Sequence, residues 1–424
     1  MARLYFASFW CIFFTGAVRK WLFPGVSAFY LLQDVPIFFA YLYALQSGLY
    51  SKGLIFFGIL ALSAVLALQA LLQVVGLGLN GVVAVIGLHH YLFYLPMLAI
   101  FPLSLTETYR RNFIRWNLRA SIPMCVLAIA QSRSPVNAWV NRTSQGDAMG
   151  LPGADVARVT GTFNFATFLG IWAGMALSFC FGEWLLEHHR RSIHNRWVLI
   201  LSTLCLSIIP LISGSRQVVL LCVLSLIGAL IAAAMIRSVR VIIVTGAILL
   251  SLPCGALLTS VIAPTESAIL QERFFGKSGS QDAQERVAGT FYSFLTQPKF
   301  SLIGRGIGMG VDASHFMSED AYNFTYDLSE ADTTRNVMEL GTPVGLLYLT
   351  FRFSFMVAMI ILSFYLVRSS PHVLPLAFVL FGQVMADLTR NATMTSTQVM
   401  ICYAFILGVQ IYPGGENSEI VPSS

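Results

Sequence analysis

Long apolar runs alternate along the chain with short polar interruptions. Positions 54–75, 82–103, 163–186 and 241–262 carry almost no charge, and each approaches the roughly 20 apolar residues that span a hydrocarbon core. The pattern predicts about twelve membrane-spanning helices, over 4–18, 27–47, 53–75, 82–103, 113–131, 163–186, 196–213, 217–236, 241–262, 335–367, 373–389 and 396–412. The opening "MARLYFASFWCIFFTGAVRKW" has the apolar stretch of a signal peptide but no small-x-small cleavage site, so it reads as an uncleaved first span.

Composition agrees with this reading. Of 424 residues, 56% are hydrophobic and 11% charged, whereas a soluble domain carries about 25% charged residues. The expected fold class is an all-α polytopic membrane protein. It divides into 1–262 with nine spans, a large polar loop at 263–334, three further spans at 335–412, and a disordered tail at 413–424. The net charge of +6 fits basic cytoplasmic loops rather than nucleic acid. With the N-terminus inside, Arg3, Lys52, Arg110, Arg111, Arg115, Arg190, Arg191, Arg196, Arg237, Arg240 and Arg368 fall on the inner side, as does the C-terminus. The expected arrangement is therefore multi-pass with both termini cytoplasmic. The seven cysteines all lie in apolar segments and read as small buried side chains, not as a disulfide framework or metal site.

A second set of cations breaks the inside rule. Arg19, Lys20, Arg142, Arg158, Arg216 and Arg335 fall on the outer side. Any one of them reads equally well as a helix-end anchor. As a set they fit an anionic ligand at the outer face, because the planar guanidinium grips phosphate oxygens in bidentate fashion. The string Arg-Val-x-Gly-Thr-Phe occurs at Arg158 and again at Arg286; the alternative is chance recurrence in a chain rich in these residues. Loop 263–334 holds ten of the twenty carboxylates and the glycine-rich run "LIGRGIGMG". No βαβ pattern surrounds that run, so its glycines read as a tight turn or a close backbone approach, not as a dinucleotide loop.

Two ionisable residues stand out at membrane depth, Asp34 and Arg352. Such groups usually face the bundle interior and are paired. Asp34 lies about two turns from the end of its span, within expected reach of Arg19 or Lys20. His89–His90 and His188–His189 are adjacent pairs whose side chains diverge by about 100° on a helix, without a third ligand at metal spacing.

In its order of motifs the chain resembles the superfamily of Wzy-type polysaccharide polymerases and O-antigen ligases. The resemblance rests on "RVTGTF" from Arg158 to Phe163, "SGSR" from Ser213 to Arg216, and the succession Arg286, Pro298 and Gly304 to Gly310 in the large loop. It also rests on "ELGTPVGL" from Glu339 to Leu346, and on Arg142 with Gly153 as an R-x10-G pair. The chain departs from that pattern where many members carry His-Asn before the late helix: here the position is Glu330. The resemblance therefore points towards an exopolysaccharide-polymerase branch.

What the resemblance implies is a GT-C-like bundle whose outer loop joins a donor, a polyprenyl-diphosphate-linked oligosaccharide, to a sugar hydroxyl of a second lipid-linked unit. The transfer would invert the anomeric centre and need no metal or other cofactor. Arg158, Arg216, Arg286 and Arg335, with Arg305, Arg19, Lys20 and Arg142, would hold the diphosphate. Glu330 is the first choice as base, Asp332 the second and His315 the third. Implied partners are membrane lipids, a chain-length regulator and a flippase, with no nucleic acid. Two other readings stay open: a ligase moving the glycan to a different acceptor, and a lipid-glycan or solute transporter.

Overall fold

The computed structural model describes residues 1–147, 156–187, 196–236, 301–311, 332–390 and 396–413, with 150, 246, 268, 272 and 314 singly. Among these residues the protein is all-helical, apart from an isolated bridge between Gly150 and Ala157. The helices are α1 (Ala2–Ala17), α2 (Asp34–Ser47), α3 (Leu54–Leu77), α4 (Gly81–Leu92), α5 (Met97–Ile100), α6 (Glu107–Arg133), α7 (Ala166–Glu187), α8 (Arg196–Ile212), α9 (Arg216–Ile236), α10 (Asp332–Leu340), α11 (Thr342–Leu366), α12 (Val373–Arg390) and α13 (Ser396–Ile411). Six helical stretches among the described residues are long and apolar enough to cross a membrane: Leu54–Leu77, Gly81–Ser104, Glu107–Arg133, Ala166–Leu186, Arg216–Ile236 and Thr342–Leu366.

Local chemistry sets the boundaries. Glycines in the left-handed region close α2 at Gly48 (φ 65°) and α3 at Gly78 (φ 70°), where any Cβ is strained. Asn80 caps α4, its side chain accepting from Val82 N at 2.9 Å. Arg110 closes the far end of α13 by donating to Tyr412 O and to Gly408 O, both at 2.7 Å, the latter shared with Tyr412 N at 3.0 Å.

Three expected spans are not single helices. The stretch 27–47 opens as a 3-10 segment, Ser27–Gln33, before α2. The stretch 82–103 breaks after Leu92 and resumes at Met97, past Pro96, whose ring cannot continue a helix. The stretch 335–367 is cut at Gly341 (φ 81°), which separates α10 from α11. The polar half, α10, starts at Asp332, inside what reads as loop. Apart from Gly246, the span expected at 241–262 lies outside the described residues, as does the tail at 414–424.

Helix α7 sits at the centre, with 89% of its most apolar stretch buried, against 28% for α3 and 22% for α11. The latter two show leucines and phenylalanines outward, as a lipid-facing helix does. Small residues bring α7, α9 and α12 close. A Cβ on Gly174 would lie 2.9 Å from Val379, and one on Gly228 would lie 2.7 Å from Pro375 Cα. Of the seven cysteines, Cys125, Cys180, Cys205, Cys222 and Cys402 are buried, Cys11 is half-buried, and Cys254 lies outside the described residues.

Candidate functional site

The glycine-rich run is a packed knot between α3, α4 and α10. Glu339, fully buried, accepts from Gly308 N at 2.9 Å, Gly310 N at 3.0 Å and Arg335 Nε at 2.8 Å. Tyr91 Oη lies 3.0 Å from the same carboxylate and 2.8 Å from Asn336 Oδ1. Gln73 on α3 completes the knot. Its amide nitrogen donates to Ile303 O at 2.6 Å and Glu339 O at 2.7 Å, and its oxygen accepts from Ile307 N at 2.7 Å. Gln69, one turn earlier, also donates to Ile303 O. Glycine is required sterically: a Cβ on Gly308 would lie 2.4 Å from Val83 O, and one on Gly304 would lie 2.3 Å from Gly341 N. The close approach is thus to helices of the protein itself.

The adjacent histidines face different ways, as helical geometry demands. His89 Nε2 lies 3.1 Å from Asp34 Oδ2, and Tyr94 Oη donates to Asp34 Oδ1 at 2.7 Å. Asp34 therefore pairs with α4; Lys20, one of its expected partners, is directed elsewhere. His90 Nε2 instead meets Arg335 Nη2 at 3.3 Å. Among the described residues, no three His, Cys, Asp or Glu side chains gather as metal ligands. His188 and His189 lie outside the described residues.

Beside His90 a cavity of about 610 Å³, including its opening, lies among α4, α5, α11, α12 and α13. Its polar wall is Arg352 with Asp387, whose Nη2 and Oδ2 are 3.6 Å apart. Asp387 is steadied by Gln383 Nε2 at 2.6 Å, Gln383 by Gln217 Nε2 at 2.9 Å, and Gln217 by the Thr167 hydroxyl at 3.1 Å. A line of polar side chains thus runs from the start of α7 and α9 to the cavity. Arg216, half-buried, begins α9 beside Gln217.

The first Arg-Val-x-Gly-Thr-Phe corner is built differently. Lys20 is buried, and its ammonium donates to Thr160 Oγ1 at 2.9 Å and Gly161 O at 2.6 Å. Burial lowers its pKa to about 7. Gln131 Oε1 accepts from Gly161 N at 2.8 Å and Thr160 N at 3.2 Å. Phe163 packs edge-on against Phe13 at 5.3 Å. Arg19 and Arg158 are half-buried here and Arg142 is exposed.

The structure thus brings Arg335 together with His90, ties Arg305 N on the glycine loop to Met338 O of α10 at 2.7 Å, and places Lys20 beside the segment that follows Arg158. Asp332 is the first residue of α10. Glu330, His315 and Arg286 lie outside the described residues, and with Arg286 the second copy of the repeated string. Sequence reasoning counted two deep charges; Glu183 and Asp387 are also buried inside apolar helices, Glu183 with His372 Nε2 at 3.1 Å. Asp387 reads as a helix-end residue because it lies near the limit of its apolar run. The pairs Gln69/Gln73 and Gln383/Asp387 had a usable signal, polar residues one turn apart on one face of an apolar helix. No protein-family model matches the chain, and no curated protein or solved structure matches it.

Proposed function

We propose that the protein is a membrane glycosyltransferase that polymerises lipid-linked oligosaccharides at the outer face of a bacterial inner membrane. One observation carries the reading: a loop bearing Arg305 is pinned by Glu339, whose partner Arg335 meets His90 on the edge of a cavity lined by tyrosines and by the Arg352–Asp387 pair. Cations and aromatic rings at one place in an apolar bundle suit a ligand with an anionic diphosphate, sugar rings and a lipid tail.

In the proposed reaction an acceptor hydroxyl oxygen attacks the anomeric carbon. The bond from that carbon to the diphosphate breaks, and the polyprenyl diphosphate leaves with its electron pair. The hydroxyl proton passes to a carboxylate, for which Glu330 is the first choice, with Asp332 and His315 after it. General-base help of this kind contributes about 10²–10⁴-fold. Arg216, Arg335, Arg158 and Arg286 neutralise the leaving diphosphate; removing one such donor costs about 3–4 kcal/mol in the barrier.

The test uses purified protein with a synthetic polyprenyl-diphosphate oligosaccharide in EDTA, with products resolved by chain length. Wild type is expected to yield a ladder that Glu330→Gln and Arg216→Ala each reduce at least about 100-fold. An undiminished ladder from both variants would remove these residues from the mechanism. A ligase would give no ladder until supplied with a different acceptor. The buried Glu183, Asp387 and Arg352 favour a second reading, a lipid-glycan carrier, since carriers keep charges near the membrane midplane. Translocation of the probe in proteoliposomes, without any bond made, would select it.

A further inference from the structure

We propose that the cavity walled by Arg352 and Asp387 is a saccharide subsite, taking one neutral sugar ring of the glycan rather than its diphosphate.

The first ground is unused hydrogen-bonding capacity. Tyr403 lines the cavity and is only 3% exposed, yet among the described residues its buried hydroxyl has no hydrogen-bond partner. His90 lines the same cavity, and its buried Nδ1 likewise has none, while Nε2 faces Arg335. Buried polar groups are nearly always paired, and leaving one unmet is costly. Two such groups on one cavity call for a polar ligand. A tyrosine hydroxyl both donates and accepts, and a neutral imidazole does one or the other at each nitrogen. Sugar hydroxyls answer both.

The second ground is charge. Arg352 faces Asp387 across the cavity wall, so the two formal charges on the lining cancel. An anion entering the cavity would meet the Asp387 carboxylate. A neutral polyol meets guanidinium donors and carboxylate acceptors side by side, the arrangement that two neighbouring hydroxyls match.

The third ground is the wall itself. Phe355 stands edge-on to Tyr403 at 5.0 Å and stacks along Phe351 at 6.1 Å, holding the tyrosine ring in place. Tyr348 carries the Arg352 guanidinium over its face at 5.8 Å. Such rings cover the apolar face of a sugar while its edge hydroxyls reach the polar groups. Diphosphate recognition is left to the arginines nearer the loop.

This inference rests on the glycan reading and names where its sugar is held. The test measures binding to full-length protein in nanodiscs. The probes are farnesyl diphosphate, which has no sugar, and synthetic polyprenyl diphosphates carrying glucose, galactose or N-acetylglucosamine. Tyr403→Phe deletes only the unpartnered hydroxyl. It is expected to weaken the preferred sugar-bearing probe about fivefold, the effect of one neutral hydrogen bond, and to leave farnesyl diphosphate unchanged. Thermal stability should be unaltered, which separates ligand loss from misfolding. Equal binding of the sugar-bearing probe by variant and wild type would overturn the subsite while leaving the glycan reading intact. Equal weakening of both probes would overturn it by making the cavity a diphosphate or structural site. If wild type binds farnesyl diphosphate but prefers no sugar-bearing probe over it, the glycan reading fails, and the subsite with it.

Discussion

Lys20 and Arg352 are both cations set among aromatic rings in an apolar bundle, and their surroundings differ. Lys20 is sealed, with two oxygens of its own protein within 2.9 Å and the Trp21 ring 5.0 Å away. Arg352 leans 3.6 Å from its carboxylate across the wall of a cavity. The sealed cation fastens α1 to the corner of the repeated motif. The other lies on a wall that faces space a ligand can fill. A cationic motif in sequence therefore marks a corner as readily as a site, and the surrounding volume decides which.

The sharpest way to break the comparison is on the cavity side. Glu339→Ala strands Arg335 and two glycine amides in a buried knot, and is expected to cost about 3–5 kcal/mol, read as a fall in the thermal midpoint in nanodiscs. A small change there would mean that the loop is not pinned by this carboxylate.

Gly308→Ala comes next. Its φ of 88° and the backbone oxygen 2.4 Å from a new Cβ predict a loss of at least about 2 kcal/mol. The same change at Gly58, with nothing within 4 Å, should instead stabilise slightly by helix propensity.

The smallest effect sharpens the sealed side. With the folded pKa of Lys20 near 7 and the unfolded value near 10.4, the unfolded state binds more protons between those limits. Stability therefore rises with pH from about 7 to about 10 and is flat below 7. Lys20→Met should abolish that rise while leaving the proposed polymerisation within about twofold of wild type. A loss of about 100-fold or more would place Lys20 in the proposed diphosphate site, as the resemblance implies.

Much of the fold is legible in the hydropathy, because desolvation of about 20 apolar residues is a strong signal over each span. The breaks are not. Gly341 sits inside a stretch that reads as one helix from 335 onward, and its left-handed backbone beside Gly304, with Pro343 in the first turn of α11, divides α10 from α11. The site is legible in part. Arg335 stands out as an outer cation, but its tie to Glu339 needed the i, i+4 spacing to be weighed. Tyr403 carries no signal at all: it is a tyrosine among apolar neighbours, and only packing shows that its hydroxyl finds no hydrogen-bond partner among the described residues. The expected link between Asp34 and Lys20 gave way to His89 because each cation goes to the oxygens its own helix faces.

The bond from Gln73 to Glu339 O joins residues 266 positions apart. During synthesis α3 is complete long before its partner exists, so Gln69 and Gln73 must wait in the membrane, or beside the insertion machinery, without these acceptors. The knot is closed only by the last third of the chain. A nascent chain stopped before residue 301 would present two bare amides on an otherwise greasy helix, a mark by which quality control can tell an unfinished molecule from a finished one.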